Sequence, residues 1–220
     1  DINPGQSSSS PNDFSSINGL LYFSADDGIH GRELWMSDGT EEGTALIADI
    51  NEGAKDSAPR SITEVDGVIY FSAKTNKFGR ELWRLDEDNQ SATRIVTTGK
   101  GKKKLKALDD SNDEFRFELA GQFGKGKADR ITGFRPDDGD QLALSIDAFP
   151  GLSEINLVTV SSKRQLKAQR NESSNLIYFE AKGQLYFDQN GDQNGFGENG
   201  GLFAILKGGP DLAESAFRIL

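Results

Sequence analysis

The chain repeats itself with a period of 48 residues, and a period of that size restricts the fold more than any single residue does. Asn18-Gly19-Leu20-Leu21-Tyr22-Phe23-Ser24-Ala25 returns as Asp66-Gly67-Val68-Ile69-Tyr70-Phe71-Ser72-Ala73. Gly31-Arg32-Glu33-Leu34-Trp35 returns unchanged as Gly79-Arg80-Glu81-Leu82-Trp83. Aligned without a gap, 1–48 and 49–96 share 18 identical positions. A fixed period means supersecondary units that cannot bury their apolar faces alone and must stack. Two units are too few to close an array, so the sequence reads as the C-terminal part of a larger protein.

Each repeat spells four short strands. In the second, 61–65 and 68–72 flank Asp66-Gly67, and Asn18-Gly19 plays the same part in the first. These dipeptides favour a two-residue hairpin turn, because both central residues need φ > 0. A third strand carries Arg-Glu-Leu-Trp, and Asp38-Gly39-Thr40 turns the chain into a fourth over 44–50. Four antiparallel strands in about 48 residues match one propeller blade. The second copy decays at its end, where Ser37 to Thr44 becomes Leu85 to Ala92 and both glycines are lost. Terminal repeats are atypical in this way.

Glu33-Leu34-Trp35-Met36-Ser37-Asp38-Gly39-Thr40 resembles the signature of the bacterial repeat family named for Glu-Leu-Trp-x-x-Asp-Gly-Thr. The resemblance covers 1–96 and implies propeller-like blades of a large secreted or cell-surface protein. It implies no common activity.

Past the repeats, 97–108 is a glycine-punctuated basic linker with Lys100, Lys102, Lys103, Lys104 and Lys106. The remainder, 109–220, is strand-rich without the 48-residue echo. Candidate strands are 115–119, 129–134, 141–145, 155–160, 176–180, 184–188 and 201–206, and 161–174 is a loop or a short surface helix. In order, Asn112-Asp113-Glu114-Phe115-Arg116-Phe117, Ala128-Asp129-Arg130-Ile131-Thr132-Gly133-Phe134, Gly139-Asp140-Gln141-Leu142-Ala143-Leu144-Ser145, the 176–191 hairpin and Leu202-Phe203-Ala204-Ile205-Leu206 resemble the C-terminal module of RTX-type and serralysin-like proteins. That resemblance implies a β-roll or β-sandwich-like module, Ca²⁺-linked folding, and an uncleaved type I export signal ending in Ala216-Phe217-Arg218-Ile219-Leu220. The glycines of the β-roll nonapeptide are replaced by Leu108, Asp109 and Ser111, so its Ca²⁺ sites are expected to be lost there. The fold class expected is all-β: two propeller-blade-like repeats, then this module.

The best metal candidate is 188–195, where Asp188, Asn190, Asp192 and Asn194 alternate their oxygens and two glycines let the backbone curl. Hard cations such as Ca²⁺ take ligands of this kind at alternate positions of a loop. Gln193 stands where an EF-hand-type loop has Gly, Asn199 takes its twelfth position, and Glu198 falls one residue early. A long hairpin loop is the competing reading of the same residues.

The other chemistry is sparse. The chain has one histidine, His30, and no cysteine, which removes disulfides and thiolate sites. Arg32-Glu33 and Arg80-Glu81 recur in both copies, so they are read as structural, as are the tryptophans. No catalytic and no cofactor-binding residue is assigned. The net charge is −10, and 17 Asp/Glu against 8 Lys/Arg fall in 1–96, which disfavours a nucleic-acid partner. No apolar run is long enough to span a bilayer as a helix. Taken together, the sequence is expected to be a non-enzymatic, extracellular or cell-surface scaffold. Its partners would be other repeats of the parent protein, copies of itself, or a surface glycan. A secreted propeller hydrolase or lyase and a glycan-binding module are the alternatives.

Overall fold

The computed structural model describes residues 2–86, 91–108, 112–121, 123–169, 172–191 and 193–220. The chain divides into two compact units, Asp1–Ile95 and Val96–Leu220. The class is all-β, as the alternating apolar pattern requires.

Unit 1 holds the two repeats. The first forms an antiparallel sheet of β1 (Asn12–Ile17), β2 (Leu20–Asp26), β3 (Arg32–Ser37) and β4 (Ala45–Ala48) in that order. The second forms β5 (Arg60–Val65), β6 (Val68–Thr75), β7 (Gly79–Leu85) and β8 (Ala92–Thr97), paired in sequence order. The fourth strand of the first repeat is shorter than the sequence pattern suggests.

The first three strands of the two sheets share their register at the 48-residue offset, whereas Leu34 faces Ala48 past a bulge and Leu82 faces Ile95 without one. Asn12 faces Ser24 and Ser15 faces Tyr22, with a bulge between. Arg60 faces Ser72 and Thr63 faces Tyr70, with the same bulge. Among the described residues, the non-glycine positions with positive φ fall into three repeat-related pairs: Ser10 and Ala58, Asp13 and Ser61, Asn18 and Asp66. Positive φ is costly for a residue with a Cβ and persists only where the surroundings impose it. Its recurrence at the same places shows that the repeat is a repeat of backbone, not merely of composition.

The motif residues explain themselves locally. The Asp38 carboxylate accepts hydrogen bonds from the Thr40 backbone N–H at 2.9 Å and its hydroxyl at 2.7 Å. Those bonds hold the Asp38 carboxyl below its ordinary pKa. A Cβ at Gly43 would meet the same carboxylate, so a larger residue there displaces the exposed Asp38 side chain from its bonds to Thr40.

Unit 2 runs β9 (Lys104–Lys106), β10 (Asn112–Phe117), β11 (Asp129–Thr132), β12 (Gln141–Leu144) and β13 (Leu157–Val160). A short helix α1 (Lys163–Gln169) follows, then β14 (Leu176–Phe179), β15 (Gln184–Phe187), β16 (Gly201–Lys207) and β17 (Phe217–Ile219). Two parallel ladders form, β9-β11-β16 and β10-β12-β17. Strands β9 to β12 alternate between them, and so do β16 and β17, as in a chain coiled about an axis. β13, β14 and β15 extend the first ladder beyond β16, and β14-β15-β16 is an antiparallel meander.

Between the ladders lies an aromatic core. Phe149 meets Phe117, Phe187 and Phe203 edge-on at centroid separations of 6.4, 5.2 and 5.1 Å. Such tilted contacts match the positive ring edge to the negative face. The lysine-rich stretch contributes edge strand β9, whose Leu105 packs on this core. The C-terminal residues do the same through β17, where Phe217 is buried and the Leu220 N–H bonds the Leu144 carbonyl at 3.0 Å. α1 buries no residue and is the surface helix that the polar 161–174 stretch allows. Among the described residues, no helix is long and apolar enough to cross a membrane.

Trp35 and Trp83 occupy matching places, facing Phe23 and Phe71 across the β2-β3 and β6-β7 pairs. Because both tryptophans of the chain sit in unit 1, Trp83→Ala leaves Trp35 as its only indole reporter. The substitution is expected to destabilise unit 1 by about 3–5 kcal/mol, read from the denaturant midpoint of Trp35 fluorescence.

Candidate functional site

The densest polar construction in unit 1 joins the two repeats. Glu33 is fully buried. Its carboxylate accepts from the Ser57 N–H at 2.8 Å, the Ser57 hydroxyl at 2.5 Å and the Ile50 N–H at 3.0 Å. All three donors belong to the second repeat. The flanking backbone is tied down as well. The Arg32 N–H donates to the Asp56 carboxylate at 2.9 Å, and the Arg32 carbonyl accepts from the Ser57 and Ala58 N–H groups. At Gly31 a Cβ would lie 2.7 Å from the Lys55 carbonyl carbon, so only glycine admits the crossing chain. Together, residues 31–33 of one repeat clamp residues 55–58 of the next.

Burial pushes the Glu33 carboxyl up to about 7, against the pull of its three donors. A protonated Glu33 keeps the contact by donating to the Ser57 oxygen, since a hydroxyl both donates and accepts. The arginines have a different, equally structural task. Arg32 Nη1 donates to the carbonyls of Ser10 at 2.8 Å and Ser24 at 3.3 Å. Arg80 donates to those of Ala58 at 3.0 Å and Ser72 at 2.9 Å, the same two positions one period later. His30 pairs with the Asp27 carboxylate at 2.6 Å, which raises the imidazole pKa.

In unit 2 three buried aspartates tie down backbone N–H groups beside the strands, some local and some far along the chain. The Asp113 carboxylate accepts from the Leu108 N–H at 2.6 Å. Asp140 accepts from Asp113 N–H at 2.9 Å and Arg135 N–H at 2.8 Å, and Asp129 from Lys103 N–H at 2.5 Å. Burial raises Asp140 to about 7, with the Asp113 charge adding to the effect, and raises Asp129 to about 6.

The proposed metal loop lies between β15 and β16. Asp188 is buried and its N–H bonds the Asn175 carbonyl at 2.8 Å. The loop folds back on itself. Gln189 N–H donates to the Phe196 carbonyl at 3.1 Å, and Phe196 stacks on Tyr186 at 5.2 Å. The Asn190 Oδ1 is buried with no hydrogen-bond partner among the described residues. Asn194 is exposed, and Asp192 lies outside the described residues. Among the described residues no group of three or more His, Cys, Asp or Glu could hold a metal ion. Asp188 and Asn190 therefore turn inward, whereas Asn194 faces solvent.

Sequence reasoning placed Glu33 in the structure but missed its partner. Ser57 matches Ser9 at the 48-residue offset, the one available signal. The backbone N–H groups that Asp129 and Asp140 hold at Lys103 and Asp113 lie 26 and 27 residues away, a range at which spacing carries no signal. Compared with family models, curated proteins and solved structures, the chain matches none.

A carboxyl raised on folding binds its proton more tightly in the native state. The stability it contributes is complete below its ordinary pKa and is lost as pH rises through about 7. Unit 1 is therefore expected to resist denaturant better at about pH 5.5 than at about pH 8.5. Glu33→Gln is expected to shrink that difference, measured by tryptophan fluorescence, and the residue left at His30 changes in the same direction.

Proposed function

We propose that this chain is a non-enzymatic scaffold segment of a larger secreted or cell-surface bacterial protein. Unit 1 supplies blades of a propeller-like array, and unit 2 is a β-roll-like C-terminal module that folds with Ca²⁺ and carries a type I export signal. The observation that carries this reading is the equivalence of the repeats at the level of backbone, register and side-chain task. Arg32 and Arg80 hold the same two carbonyls in each copy. A residue pair that a catalytic reading needs is thus engaged in holding strands together. The resemblance to the Glu-Leu-Trp-x-x-Asp-Gly-Thr repeats and to the RTX-type module points the same way. So does the alternation of strands between two parallel ladders, with aspartates tying down backbone N–H groups beside the strands.

Within the distal loop, Asp188 and Asn190 suit a hard cation. The Asn190 oxygen is the kind of buried, unsatisfied acceptor that an oxygen-seeking ion relieves. A bound Ca²⁺ would supply a charge that draws the loop oxygens together. The chain's own contribution is to hold Asp188 buried at the end of β15 and to close the loop through Gln189 and Phe196.

The rival reading is a secreted hydrolase or lyase assembled from further blades, and a glycan-binding module is the third. Turnover of a glycan, ester or peptide substrate that a single carboxylate-to-amide change abolishes would replace the scaffold with the enzyme. For the cation, calorimetric titration with Ca²⁺ is expected to give a saturable heat that Asp188→Ala removes. The melting temperature is also expected to rise at millimolar Ca²⁺, as RT ln(1 + [L]/Kd) requires. No heat, or binding unchanged in the variant, contradicts the loop assignment.

A further inference from the structure

The sheet of unit 2 that runs from β13 to β9 has a buried side and an outer side. Leu105, Ile131 and Leu206 lie in register on β9, β11 and β16, and all three pack into the aromatic core. Side chains alternate along a strand, so the residues flanking these three point the other way. The outward positions are Lys104 and Lys106, Arg130 and Thr132, and Ile205 and Lys207. Four of the six are cationic and none is acidic, in a chain whose net charge is −10. Lys104, Lys106 and Lys207 are exposed, and Arg130 is half-exposed.

One row of side chains crosses the whole sheet on this outer side. Val160, Phe179, Gln184, Ile205, Arg130 and Lys104 are cross-strand neighbours in turn. Five steps of about 4.8 Å make a strip about 24 Å long. At its far end lies α1, with Leu166 packed against Val160, Ile177 and Phe179. This helix carries Lys163, Arg164 and Lys167, all exposed, and no acidic residue. Cations therefore stand at both ends of one strip, with the Gln184 amide between them. Arg130 adds a second observation. Its Nε is buried and has no hydrogen-bond partner among the described residues. A guanidinium with an idle donor suits a carboxylate or sulfate, whose paired oxygens match its fork.

We infer that this outer strip binds an acidic polysaccharide lying across the strands. Anions repeated along an extended chain meet Lys104, Arg130 and Lys207 at one end and α1 at the other, while sugar hydroxyls meet Gln184. Other polyanions fit the strip less well. The large exposed hydrophobics of the described residues all lie elsewhere, so nothing here anchors in a bilayer. Tyr186 and Phe196, on this side of the sheet, stack on each other rather than standing open to bases. At about 0.1 M salt the Debye length is about 10 Å, so acidic groups farther away are screened and the local charge governs. The inference goes beyond the scaffold reading and rests on neither further repeats nor a bound cation.

The test titrates the full chain into fluorescein-labelled dextran sulfate at about 0.1 M salt and reads anisotropy, with neutral dextran as the control. Saturable binding to dextran sulfate, none to dextran, and weakening as salt rises are expected. Lys104→Gln with Lys207→Gln is expected to lower the affinity about tenfold or more. Lys55→Gln with Lys74→Gln removes the same charge from exposed positions of unit 1 and is expected to leave the affinity in place. Melting temperatures check that the variants fold, and Lys163→Gln with Lys167→Gln on α1 carries the same expectation as the strand pair. No binding, or equal losses from the strip and the unit 1 pair, overturns the inference. Tighter binding to phosphatidylglycerol vesicles or to double-stranded DNA than to dextran sulfate assigns the strip to a membrane or a nucleic acid and also overturns it. The scaffold reading fails on a different measurement, substrate turnover, so the two failures are distinguishable.

Discussion

A buried carboxylate can be tolerated only where donors surround it, and in unit 1 those donors come from the next repeat. Glu33 has no exposure to water and meets three donors, all in residues 50–57. Leaving a buried charge unpaired costs several kcal/mol. The first repeat therefore depends on the second for its electrostatics as well as for its apolar burial. The Glu-Leu-Trp motif follows from this division of labour. Glu33, at the start of β3, meets the next repeat, Leu34 is buried with Tyr22 and Ser24 on one face of the sheet, and Trp35 is buried with Phe23 and Ala25 on the other. Adjacent residues of a strand serve opposite faces, so three consecutive positions supply both sides of a stacked sheet.

Unit 2 solves a similar problem by other means. Parallel ladders need long returns between neighbouring strands, and each return turns sharply past backbone N–H groups that the ladders do not use. Asp113, Asp129 and Asp140 accept from such groups. Burying those carboxyls raises the pKa of Asp129 and Asp140, so these contacts hold best when the medium is not alkaline. The apolar side of the coil is filled by aromatic rings around Phe149 rather than by stacked aliphatic rungs.

How much of this was legible follows from the range of each signal. The hairpins at Asn18-Gly19 and Asp66-Gly67 were readable because turn chemistry is local. The 176–188 hairpin was readable because two apolar runs flank a short turn. The 48-residue register predicted equivalent tryptophans, and the cross-strand pairs agree. β9 and β17 escaped, since three residues carry no periodicity and their parallel partners lie far along the chain. The bulges at 12–15 and 60–63 also escaped, because Asp13 and Ser61 adopt positive φ without the glycine that usually advertises it. In the 188–195 loop the alternation of oxygens was visible, but not that closure through Gln189 and Phe196 turns Asp188 inward and leaves Asn194 in solvent.

The central claim is that the repeats are coupled through the Glu33–Ser57 contact. A double-mutant cycle with Glu33→Gln, Ser57→Ala and both together, followed by tryptophan fluorescence in denaturant, tests it most directly. Hydrogen bonds to a charged partner contribute about 1.5–3 kcal/mol, so a coupling energy of about 1 kcal/mol or more is expected at pH values where Glu33 is ionised. Additive effects of the two substitutions would contradict the account.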